Sequence, residues 1–244
     1  MNRKILHEVY HSKIKLQRRI VDLNNFTYRN TLYYVCKYFS SSKKILDVGC
    51  GTGTVDFFIA QNDKHVLGID ISSKAILAAK KNSVNFGLEK NVRFRVLDFP
   101  DKKIKGKFDG VLVSEVFEHL KSDLTAIKAI NKLCRKGAIV IASSPSKNAP
   151  LYRLGLLKDF DSRVGHVRRY TSKGFYSLFD KNGFEIIEFF KTEGILRNLL
   201  FTNNFTGNLI RFIRGPLSDL VTVIDNLLIP VFGESDYYIV ARKE

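Results

Sequence analysis

ILDVGCGTGT, residues 45–54, decides how this chain is read. Ile45, Leu46 and Val48 make a short apolar run of the kind that forms a buried strand, and the strand ends at Val48. Gly49, Gly51 and Gly53 follow at alternate positions, and a helical pattern opens over 53–60. Glycine suits such a turn because the chain reverses sharply and a ligand approaches the backbone with no side chain between. The helix start then presents free N–H groups to a polar or anionic ligand.

Outward from this loop the pattern repeats. HVLGID at 65–70 reads as a second strand ending in Asp70, about 20 residues after the loop, where a carboxylate can accept both hydroxyls of a ribose. A helix is expected over 73–86, with Gly87 as its stop. Strands are expected at 92–97 and 108–114, a helix at 120–134 with Leu124, Ile127 and Ile130 on one face, and a strand at 138–142. Strands alternating with helices imply βαβ units and a parallel sheet covered on both faces. The last third differs. A helix over 171–180 capped by Thr171 or Ser172, a turn at Asn182-Gly183, and strands at 184–190 and 237–242 frame a long segment, 195–232. That segment is apolar, sparsely charged and too long for a hairpin loop, so it reads as an inserted helical element. From Pro216 onward Leu217, Leu220, Val221, Ile224, Leu227 and Leu228 share one face, opposite Ser218, Asp219, Thr222, Asp225 and Asn226.

The chain has 244 residues, with 40 Lys+Arg against 24 Asp+Glu and a net charge of +16. This balance favours an anionic partner, nucleic acid or a membrane surface, and says nothing of fold. Half of the excess lies in residues 1–44, which hold ten basic and two acidic residues. Lys13, Lys15, Arg18 and Arg19 alternate there with Ile14, Leu16 and Ile20, a pattern open to lipid head groups, RNA phosphates or plain solvent. Cys36, Cys50 and Cys134 are too scattered for a disulfide framework or a structural zinc site. No signal-peptide stretch and no membrane-spanning run is visible, and a cytoplasmic location is expected.

After the fourth strand comes Ser114-Glu115-Val116-Phe117-Glu118-His119-Leu120. Open α/β sheets place ligands at this end of a strand. Three readings of it stand side by side. Glu115, Glu118 and His119, with His166 as a fourth, can ligate Mg²⁺ or Zn²⁺. His119 or His166 can act as general base, with Glu115 beside them. Or His119 bonds a neighbouring loop and Glu118 caps the next helix.

Over 43–194 and the closing strand, the sequence resembles the class I S-adenosylmethionine-dependent methyltransferases, most closely the ubiquinone-biosynthesis O-methyltransferase branch. The resemblance rests on Asp47-Val48-Gly49-Cys50-Gly51-Thr52-Gly53, on Asp70, on Leu97-Asp98-Phe99 and on the fourth strand, in that order. It implies a Rossmann-like α/β fold with a seven-stranded, mostly parallel sheet whose last strand is antiparallel. It implies that Asp47, Gly49, Cys50, Gly51 and Gly53 hold the methionine moiety of S-adenosyl-L-methionine. Asp70 with Ile71 would take the ribose, Asp98 and Phe99 the adenine, and Ser114 a cofactor contact through its backbone. Arg29 stands where the quinone enzymes use an arginine for the cofactor carboxylate. The Glu-x-x-Glu-His element binds a divalent cation in some relatives, and RNA 3′-end 2′-O-methyltransferases carry a similar arrangement with a distant histidine. The segment GHVRRYT at 165–171 resembles a substrate loop and offers Arg168 and Tyr170 to the acceptor.

The organisation expected is a basic helical arm at 1–42, a cofactor-binding core at 43–194, an apolar insertion at 195–232 serving as lid or membrane-docking element, and the final core strand at 233–244. The activity expected is methylation of a hydroxyl on a small or lipid-linked acceptor, such as a quinone precursor or glycolipid. An RNA methyltransferase and a noncatalytic binding protein are the alternatives.

Overall fold

The computed structural model describes residues 3–10, 16–101, 103–202, 210–213 and 215–244. Seven strands form one sheet: β1 (Lys44–Val48), β2 (His65–Asp70), β3 (Val92–Val96), β4 (Phe108–Ser114), β5 (Cys134–Pro145), β6 (Phe184–Thr192) and β7 (Asp236–Lys243). Their order is β3-β2-β1-β4-β5-β7-β6. β1 to β5 run parallel, and β7 lies antiparallel to both of its neighbours. The sheet is therefore the mostly parallel one that the alternating pattern implies. Its buried strands read as continuous apolar runs because helices cover both faces.

Helices α1 (Arg3–Tyr10), α2 (Arg29–Tyr38), α3 (Thr54–Ala60), α4 (Ser73–Asn85), α5 (Asp123–Leu133), α6 (Pro150–Arg153), α7 (Lys158–Val164), α8 (Ser172–Asp180), α9 (Ile195–Thr202) and α10 (Pro216–Phe232) complete the described chain. One buried cluster packs α5 and α8 on the sheet through Ile127, Ile130, Phe175 and Phe179. A second packs α2, α3 and α4 on the opposite face through Leu32, Val35, Phe57 and Ile76. Thr171 caps α8, its hydroxyl accepting from the Gly174 N–H.

Several expectations are corrected. The helix expected at 120–134 begins only at Asp123, because Ser122 takes the N-cap and Phe117–His119 forms a separate 3₁₀ turn. Leu124 is exposed; Ile127 and Ile130 carry that face without it. The fifth strand runs from Cys134 to Pro145, well past 138–142, because β7 pairs with it as far as Pro145. Helices α2, α6 and α7 had no clear sequence signal. In the basic arm Lys13, Ile14 and Lys15 lie outside the described residues, as do Leu209 and Arg214 in the insertion.

The insertion leaves the sheet at Thr192 and returns at Asp236, two residues directly opposite in the β6–β7 register. Helix α10 turns Ser218, Thr222 and Asp225 inward and leaves Asp219 and Asn226 exposed. Ser218 and Asp225 are fully buried, while Leu217, Leu220, Ile224 and Leu227 are exposed. Packing of the apolar face on the sheet is thereby excluded. The reason is a buried polar mount. Asp225 accepts the backbone N–H groups of Gly194, Leu196 and Arg197 at the start of α9. Ser218, Thr222 and Asp219 receive the guanidinium of Arg29 at 2.9, 3.2 and 2.6 Å. None of the described helices is long and apolar enough to cross a membrane.

Candidate active site

A cavity of about 530 Å³ opens at the C-terminal ends of β1, β2 and β4. This is where a parallel sheet places ligands. One wall is the glycine loop. Gly49, Gly51 and Gly53 all take positive φ. A Cβ on Gly49 would lie 2.4 Å from Val116, and one on Gly53 would lie 2.6 Å from Phe94. Gly49, Cys50 and Gly51 line the cavity; Gly53 does not, and its glycine serves packing under the loop. Asp70 accepts the Gly51 N–H at 3.0 Å and the Ser72 N–H at 2.8 Å, so it braces the loop that it faces. Asp47, Asp70, Ile71, Phe99 and Ser114 line the same space. Asp98 is exposed and outside the lining.

The opposite wall comes from the Glu-x-x-Glu-His element and the segment at 165–171. Glu118 is fully buried. Its Oε2 accepts from the Ser144 hydroxyl at 2.9 Å, and its Oε1 meets no hydrogen-bond donor among the described residues. That free oxygen lies 3.6 Å from His119 Nε2 and 4.0 Å from His166 Nε2. His119 Nδ1 lies 3.1 Å from the Gly165 carbonyl, and His166 Nδ1 lies 2.9 Å from Asp161. Each partner is an acceptor, so in the neutral ring Nδ1 carries the proton and Nε2 presents its lone pair inward. One oxygen and two nitrogens thus converge within 4.8 Å of one another. Burial pushes the Glu118 carboxyl up to about 7. Asp161 is held near 2 against its own burial by Arg169 and His166.

This corrects the expected ligand set. His166 joins Glu118 and His119, while Glu115 stands apart, its Oε1 accepting from Ser143 at 2.7 Å. Glu115 is open to the cavity, and the low-dielectric enclosure together with the Glu118 carboxylate raises it to about 8. Three other expectations fail on geometry. Arg168 pairs with Asp123 at 3.2 Å and Tyr170 donates to the same carboxylate at 2.8 Å, so the start of α5 captures both and neither lines the cavity. Arg29 is held by α10, away from the cavity lining.

The cavity also holds residues that no sequence pattern singled out. His7 reaches in from α1, its ring 5.1 Å from that of His119. Glu8 on the same helix accepts the Ser73 N–H at 2.6 Å, fixing α1 on the start of α4. Arg197 of α9 lies 4.0 Å over the Phe26 ring and donates to the Phe26 carbonyl and to Glu193. Glu193 and Asp236 complete an acidic side, and burial raises both carboxyls. A lone arginine within ILRNLLF was the one visible hint of Arg197.

Residues 39–183, more than half of the chain, match the family described as "Methyltransferase domain". The chain belongs to this family. Among curated members, the ubiquinone biosynthesis O-methyltransferase of Chromobacterium violaceum is 30% identical over 117 residues, which is 48% of this chain and 50% of that protein. The enzyme of the same name from Pseudomonas aeruginosa is 27% identical over the same shares. The chain thus spans about half the length of the curated methyltransferases it matches. Two solved structures share the fold. The magnesium protoporphyrin IX methyltransferase of Synechocystis PCC 6803, with bound S-adenosylhomocysteine, superposes with a TM-score of 0.62 at 17% identity and full coverage of both chains. The [4+2]-cyclase SpnF gives 0.65 at 18% identity, covering 88% of this chain and 80% of its own. A cyclase on this methyltransferase fold shows that the chemistry must be argued from the site.

Proposed function

We propose that this protein transfers the methyl group of S-adenosyl-L-methionine to a hydroxyl oxygen of a small or lipid-linked acceptor. One observation carries the reading: the braced glycine loop and Asp70 face His119 and His166 across a single cavity, with the buried Glu118 carboxyl behind the two rings. The sulfonium supplies an activated methyl, so the chain has only to place an acceptor lone pair in line with it. Burial raises the carboxyls of Asp47 and Glu115, and a positive centre beside them would favour their ionised forms. The oxygen–carbon bond forms as the sulfur–carbon bond breaks, S-adenosylhomocysteine leaves, and the hydroxyl proton passes to Nε2 of His119 or His166.

The same three groups also fit a divalent ion. An unpartnered buried carboxylate oxygen and two imidazoles oriented by acceptors on their far nitrogens are a donor set for Zn²⁺, or for Mg²⁺ with added water. Such an ion would lower the pKa of a bound acceptor hydroxyl. The two imidazoles are either its ligands or the base.

Calorimetry with S-adenosylhomocysteine tests the shared premise, and absence of binding at millimolar ligand would end the reading. Asp70→Ala should cost about 2 kcal/mol of that affinity, roughly thirtyfold, the scale of a lost charge-assisted hydrogen bond. Unchanged affinity would remove the ribose role. Methyl-labelled S-adenosylmethionine offered with total lipid and with RNA separates the acceptor classes. Label should enter the organic-extractable fraction; label confined to RNA would favour the nucleic-acid alternative that the +16 charge first suggests.

A further inference from the structure

We propose that the outer face of α10, together with the adjoining loop at 152–156, is a docking surface for an anionic lipid bilayer. The proposal rests on the methyltransferase reading above and names where its acceptor is met.

Helix α10 is inverted relative to an ordinary surface helix. Its polar residues Ser218, Thr222 and Asp225 point into the protein and are consumed by Arg29, Arg197 and the start of α9. Its apolar residues point out. Leu217, Leu220, Ile224, Leu227 and Val231 form one stripe, with Leu227 and Val231 each 72% exposed. At 1.5 Å per residue the stripe is about 21 Å long. It continues past the helix end. Arg153 donates to the Phe232 carbonyl, which brings Leu154 and Leu156, 70% and 65% exposed, alongside. Soluble monomers rarely leave so long an apolar stripe to water.

The occupant follows from charge and geometry. Two copies of a +16 chain repel one another, whereas an anionic surface attracts each of them. A helix of 17 residues with acidic and polar groups on one side lies along an interface and does not span it. Interfacial helices usually need a basic polar face toward water. Here protein covers Ser218, Thr222 and Asp225 while Asp219 and Asn226 stay exposed, and the helix carries no Lys or Arg, so the cationic attraction has to come from the rest of the chain, with Arg153 standing at the end of the stripe. The layer also has two useful sides. Arg197, Asn198 and Phe201 of α9 line the cavity, and α10 packs on α9. Lipid on the outside is thus two helices, α10 and α9, from the site.

The test is co-sedimentation of the full chain with vesicles of phosphatidylcholine alone and of phosphatidylcholine mixed with phosphatidylglycerol. The chain should bind the mixed vesicles, lose binding as salt is raised, and bind the neutral ones roughly tenfold more weakly. Leu220→Glu combined with Leu227→Glu should reduce binding to the mixed vesicles by at least roughly tenfold. Both side chains are exposed, so S-adenosylhomocysteine affinity should not change, which separates failure of this proposal from failure of the methyltransferase reading. Wild-type indifference to both vesicles overturns the proposal. So does a dimer in solution that the double variant converts to monomer, because a second copy would then cover the stripe. Equal binding by the double variant would move the contact elsewhere and overturn it as well.

Discussion

Glu118→Gln should weaken Zn²⁺ binding by at least roughly a hundredfold while leaving S-adenosylhomocysteine affinity within about twofold. The substitution keeps the shape of a side chain that is fully buried and bonded to Ser144, so the 3₁₀ turn should survive. It removes the charge from the one oxygen that faces both imidazoles without a donor of its own. Metal binding should also depend on pH with a definite sign. Burial holds the Glu118 carboxyl near 7, so the ligand must lose a proton before it binds, and wild-type affinity should rise as pH climbs through that region. The variant should lose this rise. Calorimetry on both proteins, in buffers that do not chelate, reads affinity and proton release together. If the wild type binds no divalent ion, the metal role goes and His119 and His166 stand as candidate bases.

The second large effect lies beneath the glycine loop. Asp56 of α3 is fully buried beside Asp47, and neither of its oxygens meets a donor among the described residues. Two facing carboxylates need a proton between them. Burial is the main cause that raises both, Asp47 to about 7 and Asp56 well above the ordinary carboxylate range. The folded protein therefore holds protons at pH values where the unfolded chain has released them, so stability should fall as pH rises above about 4. Asp56→Asn supplies an amide N–H to Asp47 at every pH. It should raise stability by about 2 kcal/mol near pH 8 and change it little near pH 4. Thermal melts across that range measure both. A parallel pair of curves, shifted equally at all pH values, would show that the pair shares no proton.

The legible part of the molecule is the part built from local pattern. β1, β2 and β4 fall at the expected residues because a buried parallel strand is a short apolar run, and the glycine loop stands out because positive φ at Gly49, Gly51 and Gly53 admits little else. The opposite wall was legible only as a list of residue types. That His166 rather than Glu115 completes the trio depends on a contact 46 residues distant, the Gly165 carbonyl at His119. Arg168 and Tyr170 looked like substrate contacts until Asp123, at the start of another helix, drew both away. The periodicity of α10 gave the correct two faces and no means of telling which faced inward. That was set by Arg29 and by the N–H groups at the start of α9, tertiary partners with no footprint in the spacing.

The pairing of Thr192 with Asp236 gives the chain a natural cassette. Everything between them enters and leaves the sheet at one rung of the ladder, so its ends are already as close as those of a tight turn. Closing a loop across adjacent positions adds little entropy per extra residue. The segment carrying α9 and α10 can therefore be lengthened, exchanged or recombined while the rest of the sheet keeps its register. A chimaera spliced at this rung would carry a new α9–α10 layer beside an unchanged glycine loop.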